Sequence, residues 1–257
     1  MNTNHHTLTY DESFEGFLTC IFYLFERKLE RVDVVKKSLF HQNMFSTHLE
    51  VLTDRVQAER VCRGLKKRLP KNEYKRLYAA FLSEQTEVER LLVAYIRRLF
   101  TSKRSFAGDY ADDTVLQLTQ LARKVGREAH RMEAFVRFKL TKDGLYYANI
   151  EPDFDVLPLV GQHFKDRYAD QRWLIYDLKR KYGIYYDLQS LEPVTLTFSN
   201  ASSQSDVWFD ESEQAFQTLW KDYFDSTNIK ARKNRRLHLQ HVPKRYWRYL
   251  SEKGGGM

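Results

Sequence analysis

Along the first half of the chain apolar side chains recur every third or fourth residue, and beyond Glu133 they recur every second. This change of period constrains the fold more than any other feature. A 3.6-residue repeat buries one face of a helix, whereas a two-residue repeat buries one face of a strand. Before the change, Phe14, Phe17, Leu18, Ile21, Phe22, Phe25 and Leu29 form a stripe, which is expected to pack on a sheet rather than line a cofactor. Short strands are expected at residues 7–10 and 31–35, flanking this helix. A helix over 47–69 is stopped by Pro70, a long helix capped by Asn72 runs to Phe100, and another opens at Asp112 or Asp113 and reaches His130. After the change, residues 133–140 and 145–151 alternate about the turn Lys142-Asp-Gly144, as a hairpin does. That alternation would place Phe135, Arg137 and Lys139 together on one basic, aromatic sheet face. A short helix at 156–168 and strands at 172–177, 184–187 and 193–198 follow, with connections too short for parallel crossovers. The expected class is α+β, with helices packed on one face of a small, mainly antiparallel sheet.

Charge is distributed unevenly. Residues 228–257 hold nine Lys and Arg against one acid, Glu252; removing them from the chain's 42 bases and 34 acids leaves 33 of each in residues 1–227. The organisation expected is a single globular domain over 1–227, followed by a basic, aromatic segment over 228–257 packed on it. Before that segment, residues 200–205 read as a polar loop, and Asp206 caps a helix with Phe209, Phe216, Leu219, Trp220, Tyr223 and Phe224 on one face. Pro243 opens a final short helix. In the basic segment, Lys230, Arg232, Lys233, Arg235, Arg236, Lys244, Arg245 and Arg248 stand among Tyr246, Trp247 and Tyr249. Cations displace counterions from phosphates and aromatic faces stack on bases, so this composition suits a polyanion. A solvated tail, or a helix end docked through Trp247 and Leu250, is the plainer alternative.

The negatives narrow the chemistry. No phosphate-binding Gly-rich loop, nucleophile elbow or His-Glu-x-x-His motif occurs, and the two cysteines, Cys20 and Cys62, form neither a disulfide framework nor a cluster. No cofactor or metal is expected; His238 and His241 lie among cations that would repel a dication. No run approaches the roughly eighteen apolar residues of a membrane span, no leader is apparent, and a cytosolic location is expected. One acidic cluster, Glu151-Pro-Asp153-Phe-Asp155, sits between a strand and a helix. With Glu133, His163 and Asp177 it could do acid-base work or bind Mg²⁺; such carboxylates also cap helices or pair with Arg131 and Arg137.

Several blocks resemble one bacterial family. They are Tyr10-Asp-Glu-Ser-Phe-Glu-Gly-Phe-Leu18, Arg131-Met-Glu-Ala-Phe-Val-Arg-Phe138, Trp173-Leu-Ile-Tyr-Asp177 with Tyr182-Gly-Ile-Tyr-Tyr-Asp187, and the terminal pattern Asn234, Arg236, Gln240, Pro243, Arg245, Tyr246, Trp247. The family is the "probable DNA metabolism protein" set, a domain of unknown function. The resemblance implies a neighbouring DNA-repair radical SAM protein and, in fused relatives, a following uracil-DNA glycosylase-type domain. That second domain's catalytic residues are not expected here, and the radical chemistry would belong to the partner. Glu12 departs from the pattern, which carries glycine at that position. The expected function is a DNA-binding accessory protein in bacterial DNA repair or metabolism. The alternatives are an enzyme acting on a damaged nucleobase or nucleotide, with Glu133, Glu151, Asp153, His163 or Asp177 as acid or base, and a module that docks its aromatic tail on the radical SAM partner.

Overall fold

A computed structural model describes residues 5–41, 46–102, 106, 108–196 and 242–250. The chain divides into two compact units, residues 1–126 and 127–257. One helix, α5 (Asp113–Phe135), gives its first half to one unit and its second half to the other.

In the first unit β1 (His5–Tyr10) lies between β2 (Val32–Lys36) and β3 (Ser46–Glu50) and is parallel to both, with Leu8 opposite Val34 and Leu49. The parallel pair β1–β2 follows from its connection, α1 (Phe14–Glu26), a crossover that returns the chain to the same end of the sheet. Ser13 caps α1, its hydroxyl accepting the Gly16 N–H at 2.9 Å. Asp11 accepts from the hydroxyls of Ser13 (2.6 Å) and Thr53 (2.8 Å), which ties the β1–α1 turn to the segment after β3. Gly16 is required by this closeness: a Cβ there would lie 2.2 Å from the Asp11 carboxylate. Glu12 has φ +69°, in the left-handed region that favours the glycine of the resembling pattern.

The expected helix over 47–69 is in part a strand. β3 precedes α2 (Arg55–Arg68), and the carboxylate of Asp54 accepts the N–H groups of Val56 and Gln57. As the edge strand Ser-Thr-His-Leu-Glu, β3 is held by main-chain pairing to β1 and shows no apolar alternation. The expected long helix to Phe100 is two, α3 (Lys71–Phe81) and α4 (Val88–Thr101). Between them Glu84 and Glu87 take positive φ, and the Ser83 hydroxyl accepts the Gln85 N–H, so the polar stretch bonds to itself. The predicted α1 stripe does reach the core: Phe14 and Phe17 meet Phe81 with ring centroids 5.0 and 5.6 Å apart, and Phe17 is fully buried.

The second unit holds a five-stranded sheet in the order β4 (Lys139–Leu140), β5 (Tyr146–Ile150), β6 (Trp173–Asp177), β7 (Tyr182–Tyr186), β8 (Leu191–Val194). The β5–β6 pair is parallel and the others are antiparallel. The α+β class therefore stands, while the mainly antiparallel sheet does not: one sheet is parallel and the other mixed. The intervening helix α6 (Leu157–Arg167) makes the crossover that a count of short connections overlooked. On the α6 side, Phe164 packs edge-on to the buried Trp173 at 6.1 Å. The expected strand over 133–140 shrinks to two residues because α5 continues to Phe135, where Arg137 Nη1 donates to the carbonyls of Ala134 (2.7 Å) and Val136 (3.2 Å). Arg137 thus satisfies a helix end and does not stand on the sheet. The loop at 200–205 and the helix expected after Asp206 lie outside the described residues.

Candidate functional site

The most organised polar arrangement in the second unit centres on Glu128. On α5 this residue falls in the buried stripe with Val125, Ala129 and Met132, and it is only 1% exposed. A carboxylate there needs donors to replace the water it has lost. Four groups supply them: the Tyr246 hydroxyl donates to Oε1, the Asp153 N–H to Oε1 at 2.9 Å, and Arg245 and Arg131 to Oε2 at 3.4 and 3.5 Å. Burial, then the bond to Glu128, pushes the Tyr246 phenol well above its ordinary pKa. Sequence reading missed Glu128. Its signal was available, as a lone acid at a core position of an amphipathic helix implies partners elsewhere in the chain.

Two of the four donors, Arg245 and Tyr246, belong to the short terminal 3-10 helix, Lys244–Tyr249, which begins one residue after Pro243. Tyr246 and Leu250 are buried, and the Tyr246 ring packs 5.5 Å from Phe135. Arg245, Arg248 and Tyr249 meet the acidic cluster. Arg245 Nη2 lies 2.7 Å from Asp153 Oδ2 and donates to the Tyr246 hydroxyl at 2.7 Å, while Arg248 pairs with Glu151, which also accepts the Tyr249 hydroxyl at 2.5 Å. The Trp247 indole donates to the Val242 carbonyl at 3.1 Å. Lys244 is exposed. Arg245 and Arg248 keep 45% and 62% of their side-chain surface, so solvent still reaches both.

The same cluster is held from its other side. Asp177, fully buried at the end of β6, accepts Arg180 Nη1 at 2.8 Å and the N–H groups of Lys179 and Arg180. Arg180 and Lys179 donate onward to the Asp153 carbonyl at 3.1 and 3.0 Å, and the Tyr182 hydroxyl donates to Asp155 at 2.5 Å. Residues 151–155 are therefore a junction between the β6–β7 turn, α5 and the terminal helix. Of the residues singled out for acid-base chemistry, Glu151, Asp153 and Asp177 come together here with cationic partners. Glu133 lies apart against His130 at 3.1 Å, and His163 sits on α6 edge-on to Phe164 at 5.2 Å. Guanidinium groups engage Asp153 and Glu151 as ion-pair partners, an arrangement that suits anchoring the terminal helix.

Lys230, Arg232, Lys233, Arg235 and Arg236 lie outside the described residues, as do His238 and His241. In the first unit an open cleft of about 550 Å³ is lined by Thr19, Tyr23, Gln57 and residues 49–55. It sits at the carboxyl end of β3, where open α/β sheets place their ligands. Among the described residues no group of three or more His, Cys, Asp or Glu side chains is arranged to hold a metal ion, and no helix is long and apolar enough to cross a membrane.

A family model described as a domain of unknown function, DUF4130, matches residues 86–252, from the start of α4 through the terminal 3-10 helix. That is more than half of the chain, which therefore belongs to this family. The matched stretch includes Glu128, the 151–155 junction and the described part of the basic segment. No curated protein matches the chain.

Proposed function

We propose that this member of the DUF4130 family is a DNA-binding accessory protein in bacterial DNA repair or metabolism, working beside a radical SAM partner that supplies the chemistry. The supporting observation is the division of labour within the basic segment. Tyr246, Arg245, Arg248 and Leu250 fasten its end to Glu128, Asp153, Glu151 and the core. Five further cations, at 230, 232, 233, 235 and 236, precede that anchor within a stretch free of acids. An anchored cationic segment meets a polyanion with less ordering cost than a free tail does. Arg245 and Arg248 are assigned to the anchor, and Lys244 with the five preceding cations to phosphate contact. The radical SAM partner is implied by the family resemblance alone.

The test is direct binding of labelled duplex and single-stranded oligonucleotides to the purified protein. Replacing Lys230, Arg232, Lys233, Arg235 and Arg236 with Gln is expected to weaken binding at least about tenfold. Unchanged affinity overturns the reading. Turnover of a lesion-bearing oligonucleotide by the protein alone, lost in Asp153→Asn or Glu151→Gln, would establish the enzymatic alternative instead.

A further inference from the structure

The neutral sum of charges in residues 1–227 conceals a second concentration. α2 carries six bases and one acid, Glu59. Its core side is fixed by the buried Ala58, Val61 and Leu65. At 100° per residue, Arg60, Arg63 and Lys67 fall within an arc of about 60° on the opposite side, and all three are exposed. Elsewhere in this unit cations find carboxylates, as in Lys36–Glu84 (3.8 Å), Lys37–Glu50 (2.6 Å) and Arg76–Glu73 (2.6 Å). Among the described residues no carboxylate pairs with Arg60, Arg63 or Lys67. Of the three, Arg60 stands over the Phe22 ring at 5.6 Å, and the neighbouring Lys66 stands over Tyr74 at 5.1 Å. Such contacts hold a side chain in place and leave its charge unneutralised.

We propose that the outer face of α2 is a binding surface for the phosphodiester backbone of a nucleic acid, separate from the basic terminal segment. Arg60 and Lys67 are about 10 Å apart along the helix axis, a span that covers neighbouring phosphates on one strand. The face offers point and fork charges and no amide or carboxylate other than Glu59. Contacts of this kind position a polymer without reading its bases, so binding here is independent of sequence. The surface lies outside residues 86–252, so it is a property of this chain beyond the family match. The inference shares its class of ligand with the proposed function and uses different residues, so either can fail alone.

The experiment uses the full chain and a labelled 20-base-pair duplex, with binding followed by anisotropy at several salt concentrations. In the triple variant Arg60→Gln, Arg63→Gln, Lys67→Gln the slope of log K against log salt is expected to fall by between about 2 and 3, with at least about a tenfold loss of affinity at low salt. The single variants Arg63→Ala and Lys67→Ala, both exposed and on the side of α2 away from the core, are each expected to reduce the slope by about 0.9. A slope unchanged in the triple variant and in both single variants overturns the proposal, whatever the terminal-segment variant shows. Because Val56, 74% exposed, falls within this arc and Leu52, 79% exposed, lies just before α2, vesicles of phosphatidylcholine with phosphatidylserine form a control arm. Vesicle binding lost in the triple variant, with DNA binding and its slope intact, also overturns it.

Discussion

The phenol of Tyr246 donates its hydrogen bond to the buried carboxylate of Glu128, a residue 118 positions earlier in the chain. This contact closes the second unit on itself. It holds the described end of the cationic segment, residues 244–250, to the second unit, and it supplies a core carboxylate with a neutral donor while Arg245 and Arg131 add charge at its other oxygen.

Removing that hydroxyl leaves Glu128 short of one donor in a water-poor site. Tyr246→Phe is therefore expected to destabilise the second unit by about 1.5–3 kcal/mol, the range for hydrogen bonds to charged groups. Glu128→Gln with Tyr246→Phe completes a double-mutant cycle, with a coupling of at least about 0.5 kcal/mol expected. Urea unfolding measures both. Additive effects would show that the two residues do not share the bond.

Burial raises the phenols of Tyr10, Tyr182 and Tyr246, helped in each case by an acidic partner, Glu89, Asp155 and Glu128 respectively. A group whose folded pKa lies above its unfolded value contributes stability below the unfolded pKa and loses it as pH rises towards the folded one. Stability is thus expected to decline above about pH 10, where free tyrosine ionises. Urea midpoints from pH 8 to 11, with tyrosinate absorbance followed alongside, measure this. The decline should be shallower in Tyr246→Phe, and an equal slope would remove Tyr246 from the account.

Gly183 on β7 has no room for a side chain: a Cβ would approach the Ile175 carbonyl to 2.7 Å and Leu174 Cδ1 to 2.9 Å. Gly183→Ala is expected to cost at least about 1–3 kcal/mol through overpacking. Thermal unfolding reads it, and a variant as stable as the parent would mean that the sheet spreads at this point.

Much of this was legible in the residues. The Phe14–Leu29 stripe, the cap at Asp112, the turn at Gly144 and the strand Trp173–Asp177 follow from local chemistry, and all lie close to where the pattern places them. What escaped was non-local. β3 is a polar edge strand defined by its pairing with β1, and the parallel β5–β6 pair depends on where α6 returns the chain. Glu128 looked like another helical acid until residue 246 came to lie against it. The neutral sum over residues 1–227 likewise hid α2, because adding charges discards their position. Of the acidic cluster, the sequence offered two readings, acid-base groups or ion-pair partners. Asp153 and Glu151 stand in the second role, with Arg245 and Arg248 as the partners rather than Arg131 and Arg137.

The central claim is that cations before the Tyr246 anchor hold DNA, and the most direct measurement is the salt dependence of duplex binding between 50 and 200 mM for the parent and for the variant with Gln at 230, 232, 233, 235 and 236. The account predicts a steep slope for the parent, with log K falling by at least about 4 per decade of salt, and a slope reduced by about 4 in the variant. A parent slope near zero, or the same slope in both proteins, would contradict it.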